Sequence, residues 1–324
     1  MEQVEPIEEY ALKSTGEEKH KSDTFTKVGI VGCGILGQEI ARMVSSYGID
    51  VIFLELSNSK INESIKGIKR DLRHMIKRWG MTESDKRAIM SRIRGTLEYT
   101  DLQGCEVVIE SIKSKTREQS VDTRKEIFKE IEKVVDEKAI IATNSTTLVI
   151  TELAAELKHP DRCVSLHFIS PAGDIPLVEV AKSLYTSDEA YKKVCRFTRL
   201  LGKRIVPVIE SPGIISTRLI APMINEACSI LMEGVAEMID IDDTMKIGYG
   251  FPLGPFEMAD KIGLDMVIRW LDNLYREFGD IKYKASPMLK KRVRANHLGR
   301  ESGIGFYRYD EEGKKILPER REPC

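Results

Sequence analysis

Residues 27 to 57 read KVGIVGCGILGQEIARMVSSYGIDVIFLELS: an apolar run, a glycine turn, a segment of helical period and a second apolar run. That order is a β-α-β unit. Within the turn, Gly32, Gly34 and Gly37 form G-x-G-x-x-G. The pattern says little alone and much where it follows a strand and opens a helix, as it does here. The first glycine permits a tight turn, the second lets the backbone approach a pyrophosphate, and the third lets helix and strand pack closely. Ile35 and Leu36 stand at the helix start, whose N–H groups would face the diphosphate. Glu55 ends the second run, placed to accept hydrogen bonds from an adenosine ribose. A carboxylate there repels a 2′-phosphate, so NAD is expected rather than NADP. The competing reading is a glycine-rich turn without a ligand.

Downstream, a helical pattern (Ile61, Ile65, Ile68, Leu72, Ile76, Trp79) stops at Gly80 and a second helix starts near Thr82. A helical hairpin over about residues 58 to 94 is therefore predicted as an insert in the sheet. On another face Lys66, Arg70, Arg73 and Lys77 recur every three or four positions and align in a stripe. The stripe reads as a solvated face or as a clamp for a phosphate-bearing substrate carrier. The alternation then resumes. GCEVVIES ends a strand at Glu110, SVDTRKEIFKEIEKVVDE supplies a helix, KAIIATNSTT another strand, TELAAEL a short helix, and RCVSLHFIS a strand carrying His167. Open parallel sheets gather ligands at their strand ends, so residues 143 to 147 and 167 to 170 are expected in one crevice.

After RIVPVIESPG, at residues 204 to 213, long helical patterns take over: IISTRLIAPMINEACSILMEGVA, IDDTMKIGYG and DMVIRWLDNLYREFG. They predict an α/β, Rossmann-like NAD-binding domain over residues 27 to 210, followed by an all-α domain over 211 to 310. Polar tails, 1 to 26 and 311 to 324, flank the two. The apolar helix faces exceed what three or four helices hide alone, which suggests a homodimer. The 324 residues are 42% hydrophobic, enough for full cores. No stretch approaches the roughly 20 apolar residues that span a bilayer. The N-terminus alternates charges and lacks an apolar segment, so it reads as neither a signal nor a transit peptide. Six cysteines without a C-x-x-C pair argue against a zinc site or a disulfide framework and for a reducing cytoplasm. Fifty basic against fifty-one acidic residues leave no global attraction to nucleic acid or to an anionic membrane.

SLHFISPAGDIPLVEV, residues 165 to 180, sets His167 in an apolar run and Glu179 beyond a turn rich in Pro and Gly. Locally, His167 is a buried structural histidine or a proton carrier, and Glu179 its partner or a charge at a strand edge. The wider set of motifs decides. The glycine fingerprint, Glu110 at a strand end, HF-x-x-P followed by L-V-E, S-P-G before a helix, GFPLGPFEMADKIGLD and GIGFYRY together resemble the L-3-hydroxyacyl-CoA dehydrogenase family, from Lys27 to about Tyr309. The resemblance implies an NAD domain, a helical dimerisation domain and an active site in the cleft between them, with His167 as acid/base and Glu179 as its partner. It further implies cofactor contacts from Glu110, Asn144 and the basic Arg117.

Several positions leave the family pattern. Thr146 stands where the family places a serine that contacts the substrate hydroxyl. Ser170 replaces an Asn shortly after the histidine, Thr217 replaces a helix-opening Asn, and Ser114 replaces a second acidic residue after Glu110. Shorter hydroxyls in place of two-donor amides change reach and valence. Altered substrate choice is expected, with Thr146, Ser170, Thr217 and the basic stripe contacting substrate or carrier. The substrates implied are a short 3-hydroxyacyl-CoA such as 3-hydroxybutyryl-CoA, a polar acyl group such as glyceryl on an acyl-carrier protein, or a free 3-hydroxy acid. A non-catalytic NAD-binding regulator or scaffold is the reading of another class.

Overall fold

The computed structural model of the chain describes residues 25–77, 80–113, 117–310 and 313–316, with residues 117–119 by backbone alone. The two expected tails, apart from these stretches, and Trp79, Ser114 and Cys324 lie outside the described residues. The first part runs β1 (Lys27–Val31), α1 (Ile35–Ser46), β2 (Asp50–Leu54), α2 (Asn58–Lys77), α3 (Glu83–Ser91), β3 (Ile93–Thr96), β4 (Val107–Glu110), α4 (Arg117–Val134), β5 (Ile140–Thr143), α5 (Ile150–Ala154), β6 (Cys163–Phe168), β7 (Leu177–Lys182), α6 (Asp188–Leu200) and β8 (Arg204–Ile209). Its strands form one sheet in the order β3-β2-β1-β4-β5-β6-β7-β8. Neighbours are parallel except β6 and β7, which pair antiparallel. The strand order reverses at β1, so the glycine turn beyond it opens beside the carboxyl ends of β4, β5 and β6.

Side chains alternate across a strand, and the two sets here go to two cores. Val28, Ile30, Val107, Ile109, Ile140, Ala142, Val164, Leu166 and Phe168 pack with apolar residues of α1, α2 and α6. Val31, Val108, Ile141 and Cys163 pack with those of α4 and α5 on the other face. Both faces are covered, which is why the strands read as near-continuous apolar runs. His167 lies between Leu166 and Phe168 and so belongs to the second face.

The α2–α3 hairpin is held on α1 through Ile68 and Leu72, both wholly buried, each worth roughly 1.5–3 kcal/mol. Thr82 starts α3 in a reciprocal cap: its Oγ accepts from Asp85 N–H at 3.2 Å, and the Asp85 carboxylate accepts from Thr82 N–H at 2.8 Å. After the hairpin, Ile93–Thr96 pairs with β2 as an edge strand.

The second part is helical: α7 (Ser216–Met232), α8 (Met238–Asp243), α9 (Pro255–Ile262), α10 (Leu264–Phe278) and α11 (Pro287–Arg294), around its own apolar core. A short two-stranded hairpin, β9 (Arg308–Tyr309) with β10 (Lys315–Ile316), closes this helical domain. Asp260 explains it, accepting from the N–H groups of Phe306 and Tyr307, each at 2.8 Å, and from the Tyr309 hydroxyl at 3.0 Å. The motif from Gly250 to Asp265 thus builds this domain's interior. Among the described residues no helix is long and apolar enough to cross a membrane.

Candidate active site

The glycine turn is a cradle shaped by missing side chains. Gly32 takes φ 89, and a Cβ there would press on Ile112. A Cβ on Gly37 would run into the carbonyl oxygen of Gly32. Gly34 caps α1 in an extended conformation with open space where its Cβ would be. Ile35 is exposed and Leu36 half-buried at the helix start. The first N–H groups of α1 are thereby presented without a side-chain cap, as a diphosphate requires. Glu55 crosses the mouth of the turn, its Oε1 accepting from Cys33 N–H at 2.7 Å and its Oε2 from Leu56 N–H at 3.2 Å. These residues fit a dinucleotide. Replacing Gly37 by Ala is expected to weaken NAD binding by about tenfold or more, through overpacking of the turn. Titration of protein fluorescence with NAD measures it, and an unchanged affinity would count against the cradle.

His167 and Glu179 face each other directly in the antiparallel ladder of β6 and β7. Cross-strand partners point to the same face with Cβ atoms a few ångströms apart, so the register alone brings the two together. His167 Nδ1 lies 2.7 Å from Glu179 Oε2, and the residues are 8% and 3% exposed. Burial pushes the Glu179 carboxyl up, but hydrogen bonds from His167 and Ser216 outweigh it and hold the group below its ordinary value. An ionised Glu179 can only accept, which assigns the proton to Nδ1 and leaves Nε2 as the basic nitrogen of the neutral ring.

The third partner, Ser216, was not singled out in the sequence. It opens α7, where Gly213 at φ 83 and Ile214 at φ 41 turn the chain toward the sheet. Its N–H donates to Glu179 Oε1 at 2.9 Å and its hydroxyl to Oε2 at 2.6 Å. The signal available was a serine in the opening turn of a helix after S-P-G, next to a residue already under suspicion. That residue, Thr217, is 1% exposed and donates to Thr146 Oγ1 at 3.1 Å; Thr146 is itself 7% exposed. The loop after β5 is the seam between the two parts: Thr146 O also accepts from Gly213 N–H at 2.7 Å, and Asn273 of α10 donates to Thr147 Oγ1 at 2.8 Å.

Several other expected site residues are engaged in contacts of their own. Glu110 is wholly buried: its Oε2 accepts from Arg124 at 2.8 Å and Thr143 at 2.6 Å, and its Oε1 from Ile112 N–H at 2.7 Å. A buried charge with these partners braces the strand ends. Asn144, also expected at the cofactor, accepts from Phe168 N–H at 2.8 Å through Oδ1 and ties the end of β6 to the β5 loop. Ser170 is exposed; it donates to Glu39 Oε1 at 2.9 Å, beside Ala172 N–H on Oε2 at 2.9 Å. Strand β6 ends at Phe168, so residue 170 no longer follows its alternation. Arg117 opens α4, and its side chain lies outside the description. Lys66, Arg70, Arg73 and Lys77 form an exposed stripe on α2, with Arg70 3.5 Å from Asp71.

A family model described as 3-hydroxyacyl-CoA dehydrogenase, NAD binding domain, matches residues 27–211. A second, described as 3-hydroxyacyl-CoA dehydrogenase, C-terminal domain, matches residues 213–309. The 3-hydroxybutyryl-CoA dehydrogenase of Clostridioides difficile is 36% identical over 284 residues, covering 88% of this chain and 99% of its own. Among solved structures, M. tuberculosis FadB2 is similar with a TM-score of 0.85 at 30% identity, covering 89% of this chain and 100% of that one. The (S)-3-hydroxybutyryl-CoA dehydrogenase PaaH1 of Ralstonia eutropha is similar with a TM-score of 0.79 at 36% identity, covering 89% and 100%.

Proposed function

Because the chain belongs to the 3-hydroxyacyl-CoA dehydrogenase family and is an NAD-dependent oxidoreductase of it, we propose that it interconverts a short 3-hydroxyacyl-CoA and its 3-oxo form, with His167 as the acid–base group. The observation that carries this reading is the His167–Glu179 pair, 2.7 Å apart and buried at the carboxyl edge of the cofactor-binding sheet. The 3-hydroxybutyryl-CoA dehydrogenase names of the relatives support a short acyl group on coenzyme A.

In the oxidative direction, Nε2 of neutral His167 takes the proton of the substrate's 3-hydroxyl. Bound NAD supplies the hydride acceptor, so that the C–H and O–H bonds are lost and the C–O bond becomes a carbonyl. Glu179 keeps the ring in the required tautomer and stabilises the imidazolium that forms. In reduction, the same imidazolium returns the proton. Thr146 and Thr217 form a buried hydroxyl pair, reading as the group that orients the substrate oxygen, and the exposed Lys66, Arg70 and Arg73 offer charge to the carrier's phosphates.

The test follows NADH absorbance with a panel of 3-hydroxyacyl-CoAs, a hydroxyacyl group on an acyl-carrier protein and free 3-hydroxy acids. Turnover of the short CoA thioesters is expected. Activity confined to the carrier-protein substrate would replace this assignment, and NAD binding without turnover of any substrate would leave a scaffold. Thr217→Val keeps the shape and removes the hydroxyl, so kcat/KM should fall by about tenfold, the worth of one such hydrogen bond. An unchanged kcat/KM would remove Thr217 from the site.

A homodimer through the helical domain completes the proposal. Leu219, Met232, Val235 and Ile281 are large apolar side chains left exposed there, at 68%, 53%, 69% and 68%. Light scattering of the purified chain at micromolar concentration should give twice the mass of the monomer.

A further inference from the structure

We infer that Ser216 is a positioning residue that sets the proton affinity of the His167–Glu179 pair from across the domain seam. The inference rests on the acid–base role proposed for His167. Its basis is geometric. Glu179 Oε2 receives two donors, the His167 ring at 2.7 Å and the Ser216 hydroxyl at 2.6 Å. Oε1 receives the Ser216 backbone N–H at 2.9 Å. Among the described residues, one therefore supplies two of the carboxylate's three hydrogen bonds, and it does so from the first turn of a 17-residue helix whose dipole adds positive potential at that end.

The consequence concerns how much of the carboxylate's charge the imidazole sees. A donor on the same oxygen withdraws charge that would otherwise stabilise the imidazolium, so Ser216 makes Glu179 a weaker partner to a protonated ring. It does not compete for the ring's position, because Oε2 has lone-pair capacity for both donors. The backbone N–H would remain in any side-chain variant, which makes the hydroxyl the adjustable element. Among the described residues, His167 is the titratable side chain hydrogen-bonded to Glu179. On the neighbouring elements, Arg218 of α7 is turned to Ser211 Oγ at 3.4 Å and over the Phe278 ring at 4.6 Å. Glu210, just past β8, accepts from Thr151 N–H at 2.7 Å, and Arg204, opposite Leu177 in the β7–β8 ladder, is exposed. Neither arginine nor Glu210 substitutes for the serine.

Removing the hydroxyl returns its share of charge to Oε2 and favours the protonated ring. The neutral ring needed for oxidation then appears at higher pH. For Ser216→Ala the acid limb of the kcat/KM profile for alcohol oxidation should move up by about 0.5 to 1 pH unit, as a macroscopic property of the coupled pair. Ser216→Thr keeps a hydroxyl at the same place and should restore the limb. Ser216→Cys, a weak donor of similar size, should fall between the two and serves if the alanine variant does not fold.

A merely structural serine would change rate or stability without moving the limb, so limbs that coincide for the parent and its alanine and cysteine variants would overturn the inference. His167→Gln is measured alongside. If it keeps the full rate, the acid–base reading itself falls; if it loses the rate while the Ser216 variants leave the limb in place, the role of Ser216 alone is rejected.

Discussion

His167→Gln is expected to lower kcat by on the order of 10² to 10⁴-fold, the usual worth of a positioned proton-transfer group. Glutamine is close to histidine in reach, fills much of the same buried volume and can still hydrogen-bond to Glu179, which lies 2.7 Å from Nδ1 in the parent. What it lacks is a basic ring nitrogen that can take up a proton and return it. The cradle of Gly32, Gly34 and Gly37 lies on a different loop, so NAD affinity should stay as it was. Steady-state rates with a turned-over hydroxyacyl-CoA, combined with a cofactor titration, separate the two quantities. Full turnover by the variant would end the proposed mechanism.

Glu179→Gln should be nearly as severe, again about 10² to 10⁴-fold in kcat, for a reason that can be counted. Three donors converge on two carboxylate oxygens: the His167 ring and the Ser216 hydroxyl on Oε2, the Ser216 N–H on Oε1. An amide keeps one oxygen and brings two hydrogens of its own. If its oxygen stays with the backbone N–H of Ser216, its NH₂ meets His167 and forces the ring to accept at Nδ1 and carry the proton on Nε2. That tautomer cannot take a proton from an alcohol; the same carboxylate-to-amide change beneath a catalytic histidine is known to produce losses of about 10⁴-fold. A loss of less than about tenfold in kcat would show that the carboxylate is not needed in this role.

The same group links catalysis to folding. With its folded-state carboxyl held below the ordinary value, Glu179 contributes stability that is present above the usual carboxylate range and is lost as pH falls through the lowered value.

The dinucleotide half of the fold was legible because its signals are local. The glycine spacing, the strand before it and the helix after it lie within one short stretch, and Thr82 with Asp85 marks a helix start on its own. Strand β7 was readable as an apolar run but not as a reversed one, although its signal was there. Residues 169–176 are too short a connection for a parallel crossover, which takes roughly a dozen residues or more. Once that reversal is recognised, the facing of His167 and Glu179 follows from a matched register. Strand β3 hid because IRGT is brief and earns its place by pairing with β2.

What the sequence does not announce about the site is tertiary. Being at a strand end put Glu110 near the crevice, but its direction is set by Arg124, which comes from the next helix. Ser170 looked close to His167 along the chain, yet the strand ends between them and Glu39 of α1 takes its hydroxyl. Ser216 lies 37 residues from Glu179, and nothing in either local sequence announces the meeting.

The joint between Ser216 and Glu179 also bears on how such a protein can be recombined. A dinucleotide-binding half grafted onto a different helical partner would keep its cradle and its strand-paired dyad, yet lose the outside serine that completes the carboxylate's coordination. Chimeras that exchange the two halves as if they were interchangeable modules would therefore inherit cofactor affinity without inheriting the acid–base tuning, which belongs to neither half alone.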